Sequence, residues 1–396
     1  MRITPEEALA RLQPQGMRKA KGEAKSLSLA AEIGDAASLY VFGDGEGNAL
    51  ITTSDGDLPP IVGVCEDADF TQPLPPSLAS WLGEYEREVE WWQQAEHEPT
   101  DATGAAEGRV STPAMLKTAW GQGSPFNDNL SFGGKKSLAG CNAVAIAQIM
   151  REWHKRGYTR GCTATRGYTT KTNKYKVAAL PPITAFDFAN MTNSKPTTSA
   201  GKKAVATLLE YVGKALQSDY APGGTSAYPS KCPTVLRTMF RMGDASMILS
   251  SIGEDKFERR IYDEITAKQP VLMAGWNAGG AGHTFVCDGY DAEADKYHFN
   301  WGWAGQYNGW FAMSALNITS ARQYNSNKQA VVGIRPKYPL GDVNGDGVVD
   351  VVDAMQVMQD ALHNGYNERS DINSDGEVTV TDAMTLIDVV LGKTKL

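Results

Sequence analysis

The sequence predicts an α+β chain in three parts, and three observations carry that prediction. In the middle of the chain, helix-patterned segments come first and short β-rich segments follow, the order of an α+β domain. A stretch without apolar periodicity separates this middle from residues 1–110. The net charge is confined to the tail: residues 341–396 hold eleven acidic and three basic side chains, −8, which is the charge of the whole chain. With 396 residues, 42% hydrophobic and 21% charged, there is material for two or three globular domains. The boundaries read 1–110, 111–336 and 337–396.

In the first part, ITPEEALARL (3–12) places Thr and Pro ahead of an Ala/Leu/Glu run, a helix start. LYVFGDGEGNALITTS reads as two strands around a Gly/Asp turn, and PPIVGVCE as a third. SLASWLGEYEREVEWWQQ carries Leu82, Tyr85, Val89 and Trp92 at helical spacing. Residues 96–113, rich in Ala, Gly, Thr and Glu, read as an exposed linker open to proteolysis. In the middle part, KKAVATLLEYVGKAL, CPTVLRTMFR and EDKFERRIYDEITAK read as helices. After Pro270 come PVLMAGW, HTFVCDGY, KYHFNWG, GWFAMS and AVVGIRP, short β-rich runs with Gly turns. PKYPLG links this part to the acidic tail.

The chemistry centres on Gly140-Cys141-Asn142 followed by AVAIAQIMREWH. Ala143, Ile146, Ala147, Met150 and Trp153 share one helical face, so Cys141 falls at the start of a buried helix. Free N–H groups and the dipole at that end lower a thiol pKa. Read alone, Cys141 is equally a buried structural cysteine. His283, in GGAGHTFVCDGY, begins a strand behind a Gly-rich turn, 142 residues after Cys141. That separation falls within the papain-type range of about 130–150, and a base within reach of a helix-terminal thiol is what nucleophilic catalysis requires. Asn300, in HFNWGWAGQYNGWF, could accept from one imidazole nitrogen and fix the tautomer, with Trp301 shielding the bond. Core packing is the plain alternative for these tryptophans. Gly279, Gly280 and Gly282 would let extended substrate backbone approach closely.

GCNAVAIAQIM, GGAGHTFVCDGY and HFNWGWAG together resemble the Cys, His and Asn-Trp motifs of the streptopain-like cysteine proteases, a branch of the papain-fold enzymes. AWGQGSPFN is similar to the family's start of the mature enzyme, which implies Gln122 as an oxyanion donor beside the Cys141 backbone N–H. Residues 1–110 resemble the family's inhibitory prosegment. The resemblance implies a papain-like catalytic domain of helical part plus antiparallel sheet, an α+β prodomain, and a zymogen activated by a cut within 100–115. It also implies preference for an apolar side chain two residues before the scissile bond. Asn142 departs from the small or β-branched residue usual after the cysteine, and RGCTATRGYTTKTNKYK is a loop that could shape specificity.

The remaining cysteines are 65, 162, 232 and 287. Cys162 and Cys232 either pair or stay buried thiols. Cys287, four residues past His283, could share its strand face, where oxidation to Cys141 would act as an off-switch.

In the tail, Asp342, Asn344, Asp346, Asp350 and Asp353 take positions 1, 3, 5, 9 and 12 of a loop with Gly347 at position 6 and the carbonyl of Val348 at 7. The pattern recurs at Asp371, Asn373, Asp375, Thr379 and Asp382, with Gly376 and the carbonyl of Glu377. Oxygen ligands around a Gly turn make an EF-hand-like calcium loop, and a solvated acidic face does not explain the duplicated glycines. Asp at position 12 and the apolar helix after each loop look like a small α-helical dockerin, which implies two structural Ca2+ ions and a cohesin-type or cell-surface partner. Positions 10 and 11, Val351-Val352 and Val380-Thr381, are not the usual polar pair.

Several function classes drop out. Without its tail the chain is neutral, against a nucleic-acid groove, and no run approaches the roughly 20 apolar residues of a membrane span. Met1 is followed by Arg-Ile-Thr-Pro with no apolar signal core. Calcium at extracellular levels nonetheless points to export, with a signal peptide expected to be missing from this sequence. The expected function is a secreted, latent cysteine endopeptidase needing no catalytic cofactor. The alternatives are a catalytically silent scaffold or adhesion component, or a related thiol acyltransferase.

Overall fold

A computed structural model describes the chain except residues 13–25, 95–107, 157, 159–160, 277–281, 317–326, 337–339, 345–347, 364–365, 368, 374 and 395–396. The described residues form two compact units, Met1–Gly121 with Met247–Val332, and Gln122–Ser246 with Gly333–Leu396.

The first unit is built on one sheet. Helix α1 (Pro5–Leu12) is closed by a reciprocal cap: Thr4 N–H donates to Glu7 Oε2 at 2.7 Å, and Glu7 N–H to Thr4 Oγ1 at 3.3 Å. Strands β1 (Ser28–Ile33), β2 (Leu39–Gly43), β3 (Ala49–Thr53) and β4 (Gly63–Cys65) form an antiparallel meander, followed by helix α2 (Pro76–Gln94). Two short ladders, β5 (Ser131–Phe132) with β6 (Lys135–Lys136) and β7 (Tyr168–Thr169) with β8 (Lys176–Val177), belong to the other unit. The main sheet continues through β9 (Ser246–Leu249), β10 (Val271–Trp276), β11 (Gly282–Asp291), β12 (Lys296–Asn300), β13 (Gly309–Phe311) and β14 (Gln329–Val332).

The order β1-β2-β3-β4-β13-β12-β11-β10-β14-β9 joins the N-terminal strands to those of the middle part. The joint is β4 against β13, with Gly63 opposite Phe311 and Cys65 opposite Gly309. Glycine is required there: a Cβ at Gly309 would lie 2.0 Å from the Val64 carbonyl oxygen. Leu82, Tyr85, Val89 and Trp92 of α2 are all buried, as their spacing predicts. They share one core with Phe285, Phe299, Trp301 and Phe311.

A buried ionic group joins α2 to the segment before β14. Lys328 Nζ lies 2.7 Å from Glu88 Oε1 and 3.6 Å from Glu254 Oε2, while Ser314 Oγ and the Ala315 N–H donate to Glu88 Oε2. Burial opposes the charge on Lys328, but the carboxylates of Glu88, Glu254 and Glu84 more than offset it and hold its pKa above the ordinary value.

Residues 109–113 depart from the linker expectation, and the hold continues to Met115. The Arg109 guanidinium is buried, donating twice to Glu258 and reaching the Tyr290 and Tyr297 hydroxyls, with Tyr262 stacked 4.7 Å away. Thr112 exchanges backbone bonds with Tyr290, and Met115 N–H donates to the Asp288 carbonyl at 3.0 Å. A single extended segment held by backbone bonds has no apolar period to betray it. The rest of the expected linker, 96–107, lies outside the described residues.

The second unit holds helices α3 (Cys141–Lys155), α4 (Ser199–Ala215), α5 (Cys232–Met239), α7 (Val351–Leu362) and α8 (Val380–Val390); α6 (Glu254–Thr266) belongs to the first. Helix α3 is buried on nearly every side and packs on α4. Helices α7 and α8 close a small core of Val343, Ala354, Val357, Ile372, Ala383 and Leu386. No helix among the described residues is long and apolar enough to cross a membrane.

Candidate active site

Cys141 opens α3 directly after Gly140, whose φ of 92° is left-handed and which brings no side-chain cap to the helix. A residue larger than glycine would be strained there and would press on Thr225, 3.2 Å from the added Cβ. Cys141 alone among the five cysteines is not buried, and none of the five is in a disulfide. Burial pushes Cys65 and Cys162 up to about 12 and Cys232 and Cys287 higher still, which makes those four poor nucleophiles. Cys162 and Cys232 are therefore unpaired. Cys287 lies in the core opposite Val271 and Phe299, so burial argues against the redox switch expected of it.

Asn142, unremarked by sequence as a support, is buried and braced. Its Nδ2 donates to the Ala227 carbonyl at 3.0 Å, and its Oδ1 accepts from the Cys232 thiol at 3.3 Å. These bonds hold the first turn that carries Cys141. Gln122 is half-buried, and its carbonyl accepts the Ala139 N–H at 3.0 Å, two residues before the cysteine. The segment carrying Gln122 is thus tied to the loop carrying Cys141.

The first unit supplies the other expected residues. His283 is half-buried, opposite Gly275 in the β10–β11 ladder, and burial lowers its pKa below the ordinary 6.5. Gly282 faces Trp276 in the same ladder, while Gly279 and Gly280 lie outside the described residues. Asn300 is buried at the end of β12. Its Nδ2 donates to the Thr118 carbonyl at 2.7 Å, and its Oδ1 accepts the Gly302 N–H at 3.1 Å. The two bonds orient the amide. They also fasten residue 118, four positions before Gln122; the Trp120 carbonyl is held likewise by the Ala304 N–H. Trp301 is core: its Nε1 donates to the Tyr307 carbonyl, and its ring packs among Phe285, Phe299 and Phe311.

Sequence reasoning passed over His298, whose Nδ1 lies 2.6 Å from Asp288 Oδ1, while Asp288 Oδ2 accepts the Leu116 N–H at 2.6 Å. No local pattern signals this, because the partner comes from the adjacent strand.

In the tail, Asp353 accepts from the N–H groups of Val343, Asn344 and Asp350, and Asp382 from those of Asn373 and Thr379. Asp350 and Thr379 cap α7 and α8. Asn373 Oδ1 takes the Asp375 N–H, and Asp375 Oδ1 the Glu377 N–H. Asp342 is buried, Asn344, Val348 and Glu377 are exposed, and Asp346 and Gly347 lie outside the described residues. Among the described residues no three His, Cys, Asp or Glu side chains gather as a metal cluster. One observation fits a cation: Asp371 is fully buried, and its Oδ1 has no hydrogen-bond partner among the described residues. A bare, buried carboxylate oxygen at the loop's first position suits a hard cation.

Residues 120–311 match the peptidase C10 family and residues 340–391 the dockerin type I domain. Streptopain of Streptococcus pyogenes is 27% identical over 332 residues, covering 76% of this chain and 81% of its own length. The thiol protease/hemagglutinin PrtT of Porphyromonas gingivalis is 28% identical, over 76% of this chain and 37% of its own length. A prointerpain A fragment from Prevotella intermedia superposes with a TM-score of 0.65 at 26% identity, covering 78% of this chain and 99% of that one. The middle of the chain is thus similar to the peptidase C10 family, whose relatives streptopain and interpain A are cysteine proteases, and its C-terminal part to the dockerin type I domain.

Proposed function

We propose that the chain is a latent, exported endopeptidase in which Cys141 is the nucleophile and His283 the general base. The carrying observation is Cys141 itself, the single cysteine short of burial, set at an uncapped helix start. Its sulfur attacks a peptide carbonyl, and the developing oxyanion takes hydrogen bonds from Gln122 and the Cys141 backbone N–H. His283 gives its proton to the leaving amine, and the neutral imidazole then removes a proton from the water that cleaves the thioester. Asn300 positions the imidazole, and Trp301 shields that hydrogen bond from water. Gly279, Gly280 and Gly282 border the substrate backbone.

Latency rests on residues 1–94, whose strands extend the protease sheet. The burial of Arg109 and the pairing of Thr112 and Met115 support an activating cut on the N-terminal side of Arg109. The tail binds two calcium ions through Asp342, Asn344, Asp346, Val348, Asp350 and Asp353, and through Asp371, Asn373, Asp375, Glu377, Thr379 and Asp382. It presents exposed Val351 and Met355 on α7, and Val380 and Met384 at the same offsets on α8, to a cohesin-type partner. Calcium sites and such a partner suit an extracellular or cell-surface setting.

The test is incubation of wild type and C141A under reducing conditions. The wild type is expected to shed its N-terminal segment, begin at or before Arg109 and digest casein, while C141A stays intact. A wild type that digests nothing even after trimming by another protease would sink the reading.

A further inference from the structure

Arg241 lies outside the proposed catalytic machinery, just past α5, with its backbone in the left-handed region at φ 53° and its side chain 7% exposed. Its Nη1 donates to the Asp371 carbonyl at 2.8 Å and its Nη2 to Asp371 Oδ2 at 2.6 Å. Asp371, at the head of the second tail loop, is buried completely. Its Oδ2 also accepts the Gly376 N–H at 3.1 Å, whereas Oδ1 has no partner among the described residues. One oxygen therefore carries two donors and the other none. Buried carboxylates are rarely left half-satisfied, and a guanidinium with two donors aimed at one residue is a specific grip.

We propose that Arg241 clamps the second tail loop to the protease part through Asp371, and that this clamp and a calcium ion share one carboxylate and oppose each other. The inference rests on the calcium reading above. Without calcium, the guanidinium supplies the positive charge that the buried aspartate needs. With calcium on Oδ1, two positive groups flank one carboxylate in poorly hydrated surroundings, where their repulsion is weakly screened. Linkage then works in both directions: the clamp weakens calcium binding, and calcium loosens the clamp.

The test uses the full chain with Cys141→Ala, which keeps it intact, titrated calorimetrically with calcium. Two sites are expected. Adding Arg241→Gln should tighten one of them about tenfold, in the usual range of coupling between sites, and leave the other unchanged. Arg241→Lys, which keeps the charge, should stay near the parent. A second readout needs no change at Arg241: amide exchange across residues 240–246, which hold none of the proposed calcium ligands, should quicken when calcium is added to C141A. Unchanged or weakened affinity in Arg241→Gln, or exchange that slows or stays constant, overturns the clamp alone. Failure of C141A to bind calcium at all overturns the calcium reading together with it.

Discussion

The two ends of this chain attach to its middle in different ways. The N-terminal part has strands and a helix of its own, yet β4 hydrogen-bonds to β13 and α2 fills a core shared with β10–β14. The C-terminal module closes its own small core between α7 and α8. Only the first arrangement makes the protease sheet dependent on its appendage. A segment built into the sheet is costly to remove, whereas a module with its own core can come away with that core intact.

Breaking the Glu88–Lys328 pair attacks the first arrangement and should have the largest effect. Glu88→Ala strands a buried ammonium and is expected to cost about 3–5 kcal/mol in denaturant unfolding of the C141A chain. Replacing both partners, Glu88→Leu with Lys328→Met, should recover most of that loss. An Glu88→Ala chain as stable as its parent would show that the N-terminal helix is not held by this group.

Calcium removal probes the second arrangement. A chelator should lower or abolish one melting transition and leave the other in place. The stabilisation lost is about 2.7 kcal/mol per site when calcium had stood at a hundredfold excess over its dissociation constant. One transition that shifts as a whole would argue that the module lacks independence.

His283 offers the smallest effect. Burial lowers its pKa, so the folded chain binds this proton less readily than the unfolded chain. Its contribution therefore disfavours the fold progressively as pH falls through the ordinary value near 6.5. In C141A, which lacks the thiolate, NMR titration of the imidazole should give a midpoint below 6.5; a midpoint at or above it contradicts the burial argument.

How much was legible in advance varied with the kind of signal. Helices α2, α3 and α4 announced themselves by apolar spacing, and the post-Pro270 strands by short β-rich runs between glycines. Cys141, His283 and the repeated tail loops stood out because each is a local pattern of residue types. Arg109, Asn142, Arg241 and Asp288 carried no such mark, since each owes its role to a partner distant in sequence.

By itself, then, the sequence determined the α+β order, a candidate nucleophile at a helix start and the two oxygen-rich loops, because helix period, turn glycines and ligand spacing act over a few residues. The tertiary structure decided that the N-terminal strands join the protease sheet, that residues 109–116 are bound instead of free, and that four of five thiols are buried. Those outcomes depend on backbone hydrogen bonds and desolvation between segments far apart in the chain, which no local pattern encodes.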